Sequence, residues 1–219
     1  AEVVGREPGP GGRTDAWKLD LESRGLVLAA LFKYIDRRRP DPLADSYRYD
    51  LAAYALNKYL GLALVPPIVE RTVNEVPGGL QAFVPNAVSE SDRKARNLAA
   101  EDPDYHARAM AELRVFQNLV YDNCANENDT LIGGDGRVYR VDFSEAFAPK
   151  SGLPPGCAFS RCPRVLYEKL KAWDDGKVAA YVGRHLNKEE TEALLARRKI
   201  VLRLVDTMIK AMGEANALF

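Results

Sequence analysis

The sequence predicts an α+β fold with two lobes, a small β-rich N-terminal lobe and a mainly helical C-terminal lobe. The chain has 219 residues, 47% of them hydrophobic, which is enough for a sizeable core. In the first 85 residues apolar side chains alternate with polar ones or form short runs, as in strands. From about residue 105 onward they recur at helical spacing. We therefore predict an N-lobe over residues 1–85 and a C-lobe over residues 86–219.

Charge and hydropathy exclude several classes of protein. The 31 basic and 31 acidic residues balance, so the chain lacks the positive charge that is typical of a general nucleic-acid binder. No apolar run is long enough to cross a bilayer, which predicts a soluble protein without a membrane span. A cytoplasmic location is slightly favoured over export, and removal of an upstream leader would leave the location open.

The N-lobe pattern begins with a Gly- and Pro-rich segment over residues 1–14, followed by a hairpin. Trp17, Leu19 and Leu21 alternate with charged residues and predict a half-buried strand. After a Ser-Arg-Gly turn, the apolar run 26–35 predicts the second strand, with Lys33 near its end.

A helix and a second hairpin complete the N-lobe. The helix runs from about Ser46 to Leu60, with Asp45 or Ser46 as its N-cap and Asp50 in its early turns. Residues 68–73 and 80–84 predict strands around a Gly78-Gly79 turn. The predicted order is β-β-α-β-β.

The C-lobe pattern is helical around one small hairpin. A linker with a short exposed helix covers residues 86–104, and a strong helix covers residues 105–121. A polar loop over residues 122–129 leads into a hairpin that ends in Asp-Phe-Ser at 142–144. A Pro/Gly-rich loop covers 148–162, one helix begins at Pro163, and a long final helix begins with a capping box at Asn187 and Glu190.

The three cysteines and two histidines match none of the paired spacings of a zinc site. Cys157 and Cys162 could form a disulfide, but two free thiols are favoured because three cysteines leave one unpaired. Cys124 is read as a small residue at a loop bend rather than as a nucleophile, because no histidine lies close in sequence to activate it.

The predicted segments carry, in a defined order along the chain, a set of residues suited to binding phosphate and metal. Gly11 and Gly12 would let backbone N–H groups approach phosphate oxygens, and Lys33 would neutralise phosphate charge. Asp50 follows Lys33 by 17 residues and would hold that lysine extended. Asp142, with Asp129 or Asn128, offers oxygens to magnesium. A kinase uses this layout to hold ATP or another nucleotide with Mg²⁺ or Mn²⁺ in a cleft between two lobes.

Longer stretches of the chain resemble a known family. The segments SYRYDLAAYALNKYLGLALVPPIVER, GGLQAFV, VFQNLVYDNCANENDTLI and YRVDFSEAF are similar to those of atypical, phosphatidylinositol 3-/4-kinase-like bacterial proteins, distant relatives of the HipA-type and type II phosphatidylinositol 4-kinases. The tail, beginning at RCPRVLYEKLKAWDD, resembles the end of the same proteins. The resemblance covers residues 9–213 and implies a protein-kinase-like fold.

The resemblance also implies roles for individual residues. Lys33 matches the phosphate-contacting strand lysine, and Asp50 stands where its helix partner is usually a glutamate. Phe83 and Val84 fall at the interlobe hinge, where backbone groups would meet adenine. Asp142 matches the metal-binding aspartate of an Asp-Phe-Gly-like motif in which serine replaces glycine.

The catalytic loop departs from the family pattern. Active relatives carry an Asp-Arg pair where this chain has Cys124-Ala125, and an Asn where it has Asp129. The resemblance therefore implies that the catalytic base is missing, and Asp122 is the only carboxylate just upstream that could replace it. Loss of a positioned base costs roughly 10²- to 10⁴-fold in rate.

Three functions remain open at this point. The first is a pseudokinase that binds a nucleotide and a metal with weak or no phosphoryl transfer. The second is an active phosphotransferase that uses Asp122 or Asp129 as its carboxylate, with an unknown acceptor. The third is an interaction module that keeps only the fold and binds a protein partner.

Overall fold

The computed structural model describes residues 1–9 and 15–219 as a five-stranded antiparallel sheet and a helical region. The strands are β1 (Glu2–Pro8), β2 (Ala16–Ser23), β3 (Leu26–Lys33), β4 (Asp36–Arg37), β5 (Asp45–Ser46), β6 (Ile68–Val73), β7 (Val76–Ala82), β8 (Val88–Ser89), β9 (Thr130–Ile132) and β10 (Val138–Arg140). The helices are α1 (Tyr47–Tyr59), α2 (Glu90–Ala95), α3 (Pro103–Val120), α4 (Arg164–Ala172), α5 (Asp175–Val182), α6 (Lys188–Met212) and α7 (Glu214–Ala217). This architecture confirms the predicted α+β fold class.

The main sheet has the strand order β1-β2-β3-β7-β6. The β2–β3 hairpin turns at Arg24 and Gly25, whose φ angles of 54° and 77° suit the two-residue turn that matches the twist of paired strands. Side chains alternate along β3, so Phe32 is buried in the small core of the sheet, whereas Leu31 and Lys33 line a cleft on the opposite face. The register of the hairpin thus directs Lys33 into the cleft.

The second hairpin differs from the prediction. Its turn lies at Asn74 and Glu75, which have φ angles of 48° and 68° and connect Val73 directly to its partner Val76. The predicted turn at Gly78-Gly79 is wrong, because both glycines lie inside β7. A Cβ atom at Gly78 would collide with the backbone oxygen of Lys33 and the ring of Phe32, so glycine is needed there for close strand packing. The strand β1 falls in the Gly- and Pro-rich segment and is not part of the predicted β-β-α-β-β order.

Helix α1 lies between the sheet and the helical region. Ser46 caps its N-terminus by accepting a hydrogen bond from the backbone N–H of Arg48. One set of its side chains packs with Ile68 of the sheet, and another joins the larger core with α3, α4 and α6. The predicted boundary at residue 85 stays a prediction, since α1 belongs to both packing layers.

The helical region is built around α3 and α6. Asp102 caps α3 and Pro103 occupies its first turn, and the helix ends at Tyr121, whose φ of 54° turns the chain sharply. Asn187 and Glu190 form the predicted capping box at the start of α6. The two helices share a core with α4 and α5, whose fully buried members include Leu113, Phe116, Leu170, Val178, Leu194 and Val201. Among the described residues, none of the helices combines the length and apolarity needed to cross a membrane.

Candidate functional site

A cleft of about 820 Å³ lies between the sheet and the helical region. Its walls come from β3, the loop that follows α3, the turn after β10 and the segment 145–155. The lining includes Leu31, Lys33, Tyr47, Tyr121, Asp122, Asn123, Asn126, Asp129, Arg140, Asp142, Pro154 and Pro155. Several residues predicted from distant parts of the chain therefore meet in one cavity.

Lys33 lies at the centre of this cleft between two carboxylates. Its Nζ atom donates to Asp50 Oδ1 at 3.1 Å, to Asp50 Oδ2 at 3.2 Å and to Asp142 Oδ1 at 2.8 Å. The predicted Lys33–Asp50 pair is thus present, at ordinary hydrogen-bond length despite the short aspartate side chain. Burial opposes the charge on Lys33, but the two carboxylates outweigh it and raise the lysine pKa above its ordinary value.

Asp50 is the inner member of the pair and is fully buried. It also accepts a hydrogen bond of 2.8 Å from the backbone N–H of Phe143. Burial raises the pKa of Asp50 to about 6, although Lys33 acts in the opposite direction. Asp50 therefore connects β3, α1 and the Asp-Phe-Ser turn through one carboxylate.

Asp142 is the outer member, with a side chain 48% exposed. Its φ of 61° is left-handed, a strained conformation for a residue with a Cβ atom. The next residue, Phe143, anchors the turn in the core, because its buried ring packs edge-on against Phe116 with the ring centroids 5.9 Å apart. Lys33 lowers the pKa of Asp142, which keeps this carboxylate ionised and exposed toward the cleft.

Asp122 is engaged by a buried arginine. Arg140, 1% exposed, reaches Asp122 Oδ2 through Nε at 2.8 Å and Asp122 Oδ1 through Nη2 at 3.1 Å. Gln117 and the backbone N–H of Asn123 donate to the same carboxylate. Both oxygens of Asp122 are thus occupied, and this residue holds the loop together rather than presenting a free base.

The same arginine shapes the rest of the polar loop. Arg140 donates to the backbone oxygens of Asn126 at 2.5 Å and Asn123 at 3.2 Å. The sequence analysis missed this role. A signal was available, because a single arginine in the apolar strand β10 must find an internal partner if that strand is buried.

Asp129 lies beside this network and lines the cleft with a side chain 22% exposed. Its Oδ2 accepts a hydrogen bond from Asn126 at 2.5 Å and lies 3.8 Å from Arg140 Nη2. Burial raises the pKa of Asp129 to about 6, opposed by Arg140 and supported by the negative charges of Asp142 and Asp122.

Cys124 lies behind the cleft wall in a disulfide with Cys157. The Cα atoms of the two residues are 5.4 Å apart, and each residue is 3% exposed. The favoured reading of Cys157 and Cys162 as two free thiols is wrong, since of the three cysteines only Cys162 is free. The position at which the resemblance predicts a catalytic base thus holds a disulfide-bonded cysteine that does not line the cleft. The pairing joins residues 33 apart across an intervening hairpin, which spacing alone does not predict.

Four further residues were predicted to contact the nucleotide, and the structure does not bring any of them into the described lining of the cavity. Gly11 and Gly12 lie outside the described residues. Phe83 donates its backbone N–H to Ala29 at 3.2 Å, and neither Phe83 nor Val84 is part of the cleft lining. Their contact with adenine stays a prediction. Over residues 1–9 and 15–219 no three His, Cys, Asp or Glu side chains form a ready metal cluster.

Comparison with known proteins gives a likeness of fold. No family model matches the chain, and no curated protein matches its sequence. Among solved structures the chain is similar to the Helicobacter pylori proinflammatory kinase CtkA, with a TM-score of 0.62 and 11% sequence identity over 96% of each chain. At that identity the likeness concerns the fold, and the narrower relation to phosphatidylinositol 3-/4-kinase-like proteins stays a prediction. The chain has a kinase-like fold.

Proposed function

We propose that this protein binds ATP or another nucleoside triphosphate together with Mg²⁺ or Mn²⁺ in the cleft, and that it transfers phosphate weakly or not at all. The observation that carries the proposal is the position of Lys33, which bridges Asp50 and Asp142 inside the cleft of a kinase-like fold. An ammonium group beside an exposed carboxylate suits a ligand that combines phosphate with a divalent cation.

The charges of the cleft support a metal complex rather than a free nucleotide. Six carboxylates line the described part of the cavity, against the two basic side chains of Lys33 and Arg140. Such a lining repels a bare triphosphate, whereas a divalent cation offsets this repulsion. Magnesium needs only one or two protein carboxylates when phosphate oxygens complete its coordination. Asp142 and Asp129 would provide these carboxylates.

Lys33 can bind phosphate oxygens without moving from its position. Its contact with Asp142 is accessible to solvent, because the Asp142 side chain is 48% exposed. Its contact with Asp50 lies in the protein interior. Exchange of Asp142 for a phosphate oxygen would leave Lys33 anchored by Asp50, which is itself held by the backbone of Phe143. The raised pKa of Lys33 keeps the ammonium group charged throughout the neutral range.

Weak transfer follows from the surroundings of the polar loop. Cys124 has no carboxylate and is held in a disulfide, and Asp122 is bound on both oxygens by Arg140 and its neighbours. A hydroxyl acceptor would therefore lack the positioned base that contributes roughly 10²- to 10⁴-fold in rate. The alternative of an active phosphotransferase is favoured by one observation, the raised pKa of Asp129 at the cleft wall.

Thermal denaturation with and without metal tests the binding. ATP at about 100 times its dissociation constant should stabilise the protein by about 2.7 kcal/mol in the presence of Mg²⁺. Asp142→Ala should abolish the metal-dependent part of this shift. Asp135→Ala, on the β9–β10 turn outside the cleft lining, should leave it unchanged. No nucleotide-dependent shift with any metal would instead favour the interaction module.

Turnover of labelled ATP separates the two enzyme hypotheses. We expect the unmodified protein to release or transfer phosphate at the background rate, because no free carboxylate stands at the base position. Rapid transfer that Asp129→Asn abolishes would establish the active alternative, and rapid transfer that Asp122→Asn abolishes would assign the base to Asp122.

The pH dependence of binding provides a further prediction. The carboxyl group of Asp129, with a pKa of about 6, is neutral below that pH and a poor ligand for a cation. The metal-dependent thermal shift should therefore grow as the pH rises from about 5 to about 7. Asp129→Asn keeps a side-chain oxygen but cannot titrate, so its profile should be flatter over that range. An equally steep profile in the variant would assign the titration to another group, such as Asp50.

A further inference from the structure

The disulfide between Cys124 and Cys157 joins two segments of the cleft wall. Asn123 and Asn126 flank Cys124 and line the cleft from the polar loop. Pro154 and Pro155 precede Cys157 and line it from the opposite segment. The bond therefore lies directly behind the wall and sets the distance between its two parts.

Besides the packing of the half-buried Leu153 against the main core, a small number of hydrogen bonds hold the second segment in place. Arg197 of α6 binds the backbone oxygens of Ala148 and Lys150 at 3.0 and 2.6 Å. At the other end, Asn118 donates to the backbone oxygen of Cys157 at 2.6 Å. Within the described part of the chain, residues 151–156 make no hydrogen bond between these two anchors. The disulfide is thus the only covalent link that fixes this stretch to the polar loop.

We propose that the Cys124–Cys157 disulfide is a redox-controlled staple of the cleft. In the oxidised protein it holds residues 151–157 against the polar loop, and its reduction frees this segment and weakens ligand binding in the cleft. The effect on binding rests on the proposed nucleotide function, whereas the release of the segment does not.

The chemistry is thiol–disulfide exchange with a low-molecular-weight thiol such as glutathione. A glutathione thiolate attacks one sulfur of the protein disulfide, the S–S bond breaks, and the other cysteine leaves as a thiolate that takes up a proton. A second glutathione thiolate attacks the glutathione sulfur of this mixed disulfide, and the remaining protein cysteine leaves as a thiolate that takes up a proton. The products are two protein thiols and oxidised glutathione, and the reverse reaction uses oxidised glutathione as the oxidant.

Burial makes this exchange depend on the state of the cleft. Cys124 and Cys157 are each 3% exposed, so a thiolate reaches them only when the segment 151–157 opens. A ligand that holds the wall closed should therefore slow reduction. A ligand that binds the oxidised protein more tightly also shifts the disulfide equilibrium toward the oxidised form, and because this coupling is reciprocal, reduction should lower the affinity for that ligand by the same factor.

Hydrogen exchange and thiol alkylation test the staple without any ligand. Under denaturing conditions, alkylation should label Cys162 alone in the oxidised protein and all three cysteines in the reduced protein. Amide exchange over residues 151–160 should be at least about tenfold faster in the reduced protein and in Cys157→Ala than in the oxidised protein. Cys162→Ala keeps the disulfide and should exchange like the unmodified protein over this segment.

The affinity for Mg²⁺–ATP is then measured in oxidised and reduced protein. We expect reduction to weaken binding by about tenfold, within the usual range of coupling, and saturating Mg²⁺–ATP to shift the reduction midpoint by the matching factor. Equal exchange rates in the two redox states, or tighter binding after reduction, would overturn the staple. Faster exchange in a protein that binds no nucleotide in either state would keep the staple and overturn the proposed function.

Discussion

Replacement of Arg140 by methionine is expected to lower the free energy of unfolding by about 3–5 kcal/mol. The guanidinium group is 1% exposed and holds both oxygens of Asp122, which is 5% exposed. Its removal leaves a buried carboxylate with only Gln117 and a backbone N–H as donors. The cost of such a group exceeds that of a lost surface pair, since water cannot replace the missing partner.

Urea denaturation of four variants checks this prediction: Arg140→Met, Asp122→Asn, their combination and a control. Arg108→Met changes an exposed arginine of α3 and should alter stability by no more than about 0.5 kcal/mol. Asp122→Asn combined with Arg140→Met should cost less than the sum of the two single changes, because the neutral amide no longer needs a cation. An Arg140→Met protein within about 1 kcal/mol of the unmodified one would contradict the assignment of Arg140 as the support of the polar loop.

Replacement of Arg140 should also weaken ligand binding in the cleft, apart from its effect on stability. Arg140 also binds the backbone of Asn123 and Asn126, and therefore holds the wall that carries Asp129. In a variant that remains folded, the metal-dependent nucleotide shift should fall even though Lys33 and Asp142 are unchanged. Because its side chain is only 1% exposed, we expect Arg140 to act mainly through the position of the loop.

The sequence predicted much of the fold because its signals are local. Alternation in β2 and β3, the Ser46 cap of α1 and the capping box of α6 each depend on residues within one or two turns. The turn of the second hairpin failed for the opposite reason. Glu75 carries no turn signature, whereas two glycines nearby do, and only the packing of β7 against β3 shows why those glycines are needed elsewhere.

The contacts of the candidate site also fall into those that local sequence signals predict and those that they do not. The Lys33–Asp50 pair follows from a strand end and an early helical turn, each recognisable in the chain. The Cys124–Cys157 disulfide and the Arg140–Asp122 pair join segments 33 and 18 residues apart, and no periodicity relates their members. Sequence patterns specify which face a residue occupies on its own element, whereas contacts between loops depend on how the elements dock.

Replacement of Lys33 by methionine is expected to have the other large effect, and its size should depend on pH. At about pH 8 the variant should lose about 3–5 kcal/mol, because the ionised Asp50 is fully buried and, within the described part of the chain, keeps only the backbone N–H of Phe143 as a hydrogen-bond donor, at 2.8 Å. Asp142 loses the same partner at a much smaller cost, since its side chain is 48% exposed to water.

The sign of the pH dependence follows from the pKa of Asp50. Burial already raises this pKa from 3.8 to about 6 with Lys33 in place, and loss of the lysine raises it further. A raised carboxyl pKa contributes stability that is fully present below the unfolded value and is lost as the pH rises through the folded value. The penalty of Lys33→Met should therefore be smallest and nearly constant below about pH 5, and above about pH 6 it should grow by up to about 1.4 kcal/mol per pH unit until Asp50 is ionised in the variant.

Two controls isolate the buried pair in this experiment. Lys33→Met combined with Asp50→Asn removes the titrating carboxyl group. The difference in stability between this double variant and the unmodified protein should therefore not grow between low and neutral pH in the way that it does for Lys33→Met alone. Lys18→Met breaks an exposed pair with Glu7 and should leave the stability nearly unchanged at any pH. If the penalty of Lys33→Met were the same at low and neutral pH, Asp50 would not be the group that Lys33 stabilises. A penalty that rises with pH and vanishes in the double variant would instead identify Asp50 as the buried anchor that holds Lys33 in the cleft.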